Sequence, residues 1–234
     1  MKVLIVYAHP EPKSFNAALK DTAIQTLKQE GHKVKVSDLY EMNFNPVAQK
    51  EDFTELSDKA FFKYAKEQQH SYQNDTLNPV IKEEFEKLLW ADFVIFQFPL
   101  WWFSVPAILK GWFDKVLLFS GVYGGEYGRY NEARLTDKLA MISTTTGSPE
   151  GSYASNGFSG DIHEQILFHI NHGMFYFTGM TPLEPFVAYT VSHSEEDRKN
   201  YLKEFEEKLK NIEQIKRIEY PKLEAFDENG QLKS

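Results

Sequence analysis

Lys2 to Ala8 reads Lys-Val-Leu-Ile-Val-Tyr-Ala, apolar at consecutive positions and rich in β-branched residues, and it stops at His9 and Pro10. A run of that kind is a strand buried on both faces. Ser14 then precedes the apolar positions Leu19, Ile24 and Leu27, whose helical spacing ends near Gly31, so strand, loop and helix follow one another. His32 to Asp38 alternates Val34 and Val36 with charged residues; this half-exposed strand completes a βαβ unit. The spacing predicts a helix over Pro79 to Leu89, a central strand over Asp92 to Phe98 ended by Pro99, and a helix over Val105 to Phe119. Another central strand spans Lys138 to Ser143 and runs into a loop rich in Thr and Gly. One long helix over Ser159 to Phe177, a last strand over Glu184 to Val191 and a charged amphipathic helix over Glu195 to Ile212 complete the pattern. Alternating β and α segments imply an α/β fold, a doubly wound five-stranded parallel sheet with helices on both faces. Residues 40–78 interrupt it as a polar, irregular insertion carrying Phe53, Phe61, Phe62 and Tyr64, and short helices are expected there. Residues 1–220 form one domain in this reading, and the polar tail 221–234 is expected to fray.

Length supports that reading, because 234 residues make one well-buried α/β domain and are too few for two. A net charge of −8 and a pI near 5.4 repel phosphate, which argues against nucleic acid or an anionic membrane as partner. With no cysteine the chain can form neither a disulfide, a thiolate zinc site nor a cysteine nucleophile, and no metal-ligand pattern is present. The longest apolar block, around Phe93 to Phe103, carries Gln97 and Pro99 and falls short of the roughly 18–20 apolar residues of a membrane span. The N-terminal apolar run is too short for a signal peptide, so a soluble, cytoplasmic protein is expected. Aromatic residues make up 15% of the chain and cluster in FQFPLWWF, VYGGEYGRY and HGMFYF, which suits a site for a flat ligand.

In a doubly wound sheet, ligands bind at the carboxyl ends of the strands near the switch in strand order. Three loops end there. HPEPKSFN, with His9, Ser14 and Asn16, sets a hydroxyl and an amide at the start of a helix, where free N–H groups attract phosphate; Ser14 or Asn16 as an ordinary helix cap and His9 as a buried histidine are the bland alternatives. GxGxxG is absent, against a standard dinucleotide-binding fold. PLWWFSVP strings three aromatics along a strand end, to wall a flat ring or to pack on the next helix. TTTGSPEGSYASNGFSGD lets backbone approach a ligand closely and donate N–H bonds; its Tyr153 offers a phenol, or is a stacked surface tyrosine. Gly-x-Ser-x-Gly is not matched, against an α/β-hydrolase.

LIVYAHPEPKSFN, SDLYEMNFNPV, DFVIFQFPLWWFSVPAILKGWFDKV, TTTGSPEGSY with the following GFSGD, and LEPFVAYTVSH occur in an order and spacing that resemble the NAD(P)H:quinone oxidoreductases of the DT-diaphorase family, which have a flavodoxin-like fold. The resemblance spans most of residues 3–212. It implies a homodimeric flavoprotein in which NAD(P)H reduces FAD, or FMN, and the acceptor, a quinone or an azo or nitro compound, then enters the same cleft. His9, Phe15 and Asn16, with Ser14 close by, would hold the phosphate and ribityl side. Pro99, Leu100, Trp101, Trp102 and Phe103 would border the isoalloxazine ring, and Thr145, Thr146, Gly147, Ser148 and Tyr153 its polar edge. Glu195 and Arg198 match positions reaching the adenosine half of FAD, and Tyr127 and Tyr130 would lie over the substrate pocket.

Two departures matter. The family's catalytic tyrosine, here Tyr153, works with a histidine six residues on, and that position is Ser159. Serine carries no charge at neutral pH, which leaves Tyr153 to act alone or through water; His163 lies one helical turn further. The longer C-terminal segment of the mammalian proteins has no counterpart. Two other readings compete with the enzyme: a one-electron carrier with an exposed flavin edge, and an ancillary regulatory subunit of a potassium transport system.

Overall fold

The computed structural model describes residues 1–233. Its core is a parallel sheet of β1 (Lys2–Tyr7), β2 (Lys33–Asp38), β3 (Phe93–Pro99), β4 (Leu139–Thr145) and β5 (Thr181–Ala188), in the order β2-β1-β3-β4-β5. Every pairing is parallel, with Ile5 level with Val36 on one side and Ile95 on the other. The strands alternate their side chains between two cores. Val3, Ile5, Phe93, Ile95 and Met141 pack with Leu19, Ala23 and Leu27 of α1 (Phe15–Gln29) and with Phe205 and Leu209 of the C-terminal helix. Leu4, Val6, Val94, Phe96, Ala140 and Ile142 face the opposite side, against helices α3 (Pro79–Trp90) and α4 (Ala107–Val116). The five-stranded doubly wound architecture read from the sequence is therefore present, with the 2-1-3-4-5 strand order that switches between β1 and β3.

Residues 40–78 form α2 (Tyr64–Asn74) and a single turn over Lys50–Asp52. Buried polar bonds tie them to α4: Lys115 Nζ lies 2.7 Å from Asp52, both side chains nearly inaccessible, and Gln68 donates to the Asp114 carbonyl. Gly111 of α4 has no room for a side chain, since a Cβ there would strike the backbone of Pro46.

Three boundaries differ from the sequence reading. Residues 162–178 are not one regular helix but two wide turns (Ile162–Ile166 and Asn171–Phe175) around the one-turn α5 (Phe168–Ile170), with a tight turn over Tyr176–Thr178. The buried positions explain it: Ile162, Leu167, Ile170 and Phe175 include two intervals of five residues, which an ordinary helix would carry to different faces, and widening the turns brings them back to one. β5 begins at Thr181 rather than Glu184 and ends at Ala188, because it lies at the sheet edge, where Pro182 and Pro185 are tolerated. The tail is pinned at its start: Tyr176 donates to the Pro221 carbonyl, Leu223 N–H donates to Asn131 Oδ1, and Phe226 bridges Leu232. The last helix is α6 (Glu195–Lys210), capped by Ser194.

Candidate functional site

The three loops predicted to meet do so at the carboxyl ends of β1, β3 and β4. His9, Ser14, Phe15, Asn16, Pro99, Leu100, Trp101, Thr145, Thr146 and Gly147 line one cavity of about 220 Å³, to which Val191 adds a side that the sequence had not indicated. Ser14 is the N-cap of α1, its hydroxyl accepting from Ala17 N–H, so the cap reading of this residue holds. The cap leaves the backbone N–H groups of Phe15 and Asn16 without an acceptor among the described residues, aimed as the first turn of a fifteen-residue helix aims them. That pair, at the positive end of the helix dipole, suits a phosphate.

Behind the cavity runs a buried polar chain. Gln97 donates to Asn16 Oδ1 at 2.8 Å, and Asn16 Nδ2 donates to Thr145 Oγ1 at 2.8 Å. Thr145 is thus an acceptor in this bond and keeps its own proton for a ligand. Gly147 N–H is also unpartnered among the described residues, and a Cβ there would meet nothing. The wall opposite is a tight turn in which Trp101 and Ser104 exchange backbone bonds, 3.1 and 3.0 Å, while Trp102 and Phe103 both take left-handed backbone, φ 52° and 57°. Trp101 faces the cavity beside His9. Trp102, 95% exposed, and Phe103 follow it in the turn, and neither backbone N–H has an acceptor among the described residues. Burial lowers the His9 pKa, opposed by Glu11, so the ring is neutral at physiological pH, its Nδ1 accepting from Glu11 N–H.

Two further cavities adjoin. Ser14 and Phe15 are shared with one of about 280 Å³ between α1 and α6, lined also by Lys13, Glu195, Arg198 and Lys199; Arg198 spends one guanidinium N–H on the Val191 carbonyl. Tyr153 opens onto the other, about 520 Å³, with Glu150, Asp161, His163 and Tyr189. Its hydroxyl shares a 3.0 Å bond with Thr146 Oγ1, which joins it to the first cavity, and its ring meets Phe103 edge-on. Burial pushes the neighbouring Tyr189 phenol up to about 12. Ser148 supports the same loop through backbone bonds, accepting from Thr190 and donating to Thr146 Oγ1. Ser159 sits in the loop that Tyr153 begins, its N–H donating to Ser152 O, and its hydroxyl makes no bond to Tyr153.

Tyr127 and Tyr130 are not brought to these cavities. Tyr127 lies against Arg134, and Tyr130 joins a separate aromatic cluster with His172, Tyr176 and Phe177. Lys13 and Lys199 were overlooked in the sequence, although Lys13 stands inside the HPEPKSFN loop; Gln97 carried the one legible signal, a polar residue inside an otherwise apolar strand.

Free N–H groups, a hydroxyl proton and aromatic walls around the switch point of an open parallel sheet define an α/β protein built to hold a nucleotide-like cofactor. The chain belongs to the flavodoxin-like family, whose fold model matches residues 1–212. Ribosyldihydronicotinamide dehydrogenase (quinone) of Rattus norvegicus is 46% identical over 213 residues, 90% of this chain and 91% of its own length. NAD(P)H dehydrogenase (quinone) 1 of Cavia porcellus is 39% identical over 233 residues, 98% of this chain and 84% of its own. A Klebsiella pneumoniae crystal structure described as a quinone reductase superposes with a TM-score of 0.93 at 38% identity, covering 99% of this chain and 93% of that one.

Proposed function

We propose that this protein is a flavin-dependent NAD(P)H:quinone oxidoreductase that binds FAD and works as a cytoplasmic homodimer. The observation that carries the reading is the convergence of three separate loops on one cavity whose unpartnered donors match the needs of a flavin nucleotide. The relatives of 39–46% identity, quinone dehydrogenases by name, support the substrate class. When bound, the flavin supplies hydride acceptance from a reduced nicotinamide and, in a second half-reaction, hydride delivery to a quinone.

Each group of the chain has a task in this reading. The N-terminus of α1 binds phosphate through Phe15 and Asn16 N–H. Thr145, Gly147 and the backbone N–H groups of Trp102 and Phe103 orient the ring's polar edge. Trp101 and Phe103 exclude water. Tyr153 Oη holds a proton next to that edge, with Thr146 fixing its direction, while Ser159 contributes no charge. Lys13, Glu195 and Arg198 favour FAD over FMN, since they extend the site beyond the first phosphate by a cavity sized for more. In the homodimer, Tyr127 and Tyr130 would cover the acceptor pocket of a second copy.

The test is the visible spectrum of the purified protein, followed by anaerobic NADPH and then a benzoquinone. A yellow protein that bleaches with the nucleotide and recolours with the quinone is expected. A colourless protein that takes up neither FAD nor FMN would overturn the proposal and leave the fold alone standing.

A further inference from the structure

The turn over Trp101–Ser104 is strained in a way its own residues do not explain. Two consecutive bulky residues, Trp102 and Phe103, hold φ near +55°, a conformation that hairpin turns normally give to Asn-Gly pairs. Such strain persists only where the surroundings impose it. Leu100 N–H is fixed to the Thr145 carbonyl on one side, and Val105 is buried on the other. Only one side-chain hydrogen bond reaches the turn itself from a distant part of the described chain: Ser104 Oγ and His169 Nε2, 3.0 Å apart. His169 lies in the middle of α5, the single regular turn between two widened ones. Widened turns re-aim the side chains that follow them and recur at functional sites. They bury Ile162, Leu167, Ile170 and Phe175 together and leave His169 turned toward Ser104.

We propose that His169 is a positioning residue for the cofactor: through Ser104 it holds the strained turn so that the free N–H groups of Trp102 and Phe103 face the flavin site. This rests on the flavin reading above. A serine hydroxyl both donates and accepts, so the bond survives either protonation state of the imidazole, and the device is a fixed clamp rather than a pH switch. Glutamine can replace it in kind; alanine cannot.

Two readouts separate this inference from the reading beneath it. Amide hydrogen exchange on the cofactor-free protein follows Ser104 N–H, whose acceptor is Trp101 O. Loss of one hydrogen bond of ordinary strength is expected to speed its exchange about fivefold in His169→Ala and in Ser104→Ala, the double variant showing no further increase, with His169→Gln close to the parent. On the flavin-loaded protein, visible circular dichroism of the ring should change in His169→Ala and return in His169→Gln. Unchanged Ser104 exchange in His169→Ala, or losses that simply add in the double variant, would overturn the clamp. A parent protein that binds no flavin would instead overturn the cofactor reading while the exchange result still decided whether His169 holds the turn. If His169→Ala does not fold, Ser104→Ala against the parent decides on the same exchange criterion.

Discussion

Replacing Arg198 by Ala separates the two candidate flavins. Arg198 lines the cavity between α1 and α6 together with Ser14 and Phe15, and one guanidinium N–H is already committed to the Val191 carbonyl at 2.9 Å, which leaves the other donors of the fork for a ligand. A hydrogen bond to a charged phosphate contributes about 1.5–3 kcal/mol. Arg198 is only half-buried, so solvent screening puts the expected loss at the lower end, about tenfold in affinity. In the proposed binding mode FMN would end at the N-terminus of α1 and would not reach this arginine. Fluorescence titration of the cofactor-free protein should therefore show the FAD dissociation constant rising about tenfold in Arg198→Ala while that of FMN stays put. Added salt should weaken the parent's grip on FAD more than the variant's. The Val191 bond supplies the control: Val191 also lines the first cavity, so equal weakening of both flavins would mean that Arg198 acts only by holding that carbonyl. That result, or no change for FAD, refutes the assignment of the second cavity to the adenosine half.

Asp52→Asn tests the anchor between the insertion and α4. The carboxylate accepts from Lys115 Nζ, Tyr64 OH and Gln49 N–H, and stranding the buried ammonium costs about 3–5 kcal/mol, a fall in melting temperature of roughly 6–20 °C; pairing it with Lys115→Met should restore most of that, and a fall of under about 3 °C would sink the argument. Tyr153→Phe should cost no more than about 1 kcal/mol in stability, the worth of the Thr146 bond, yet lower kcat at least tenfold with flavin retained, and an unchanged kcat would remove Tyr153 from proton handling. Acidification should destabilise the protein through its histidines. Burial lowers the pKa of His9, His32 and His172 below their ordinary 6.5, so between the folded values and 6.5 the unfolded chain binds more protons, and stability is full above that range and declines as pH falls through it. Melting curves from about pH 7.5 to about pH 5.5 should show the decline, with a shallower slope in His172→Phe; an equal slope in that variant would count against the assignment.

The sheet was legible because burial on both faces leaves a signature that survives any loop: β1 carries the apolar run Val3 to Tyr7, β3 is apolar apart from Gln97, β4 opens with Leu139 to Ile142, and β2, an edge strand, alternates. The cavity-lining loops were legible too, since a parallel sheet puts function at known strand ends, and ten of the predicted residues from His9 to Gly147 line one space. What the sequence hid was irregular backbone. Residues 159–177 read as a helix because apolar residues are dense there, and only the pair of five-residue intervals betrayed the widened turns. The last strand reads from Glu184 onward because nothing local announces that β5 is an edge, where Pro182 is tolerated. The left-handed turn at Trp102 and Phe103 carries no glycine or asparagine to advertise it, and its tether, Ser104 to His169, joins residues 65 apart in the chain.

Distance in sequence is also what makes Asn16 informative. One side chain joins Gln97 on β3 to Thr145 at the end of β4, across separations of 81 and 129 residues. As N2 of α1 its backbone N–H has no acceptor among the described residues, so in the proposed mode the groups that would meet the phosphate and the ring share one rigid element. A buried polar chain is costly unless its members are satisfied, and here Gln97 Oε1 remains without a partner. An apolar trio would pack at less cost, but it would let the start of α1 shift relative to β4. The three loops need a fixed separation to hold one ligand by both ends, and directional bonds fix separation where apolar contacts do not. That requirement accounts for a glutamine in the middle of an otherwise apolar strand.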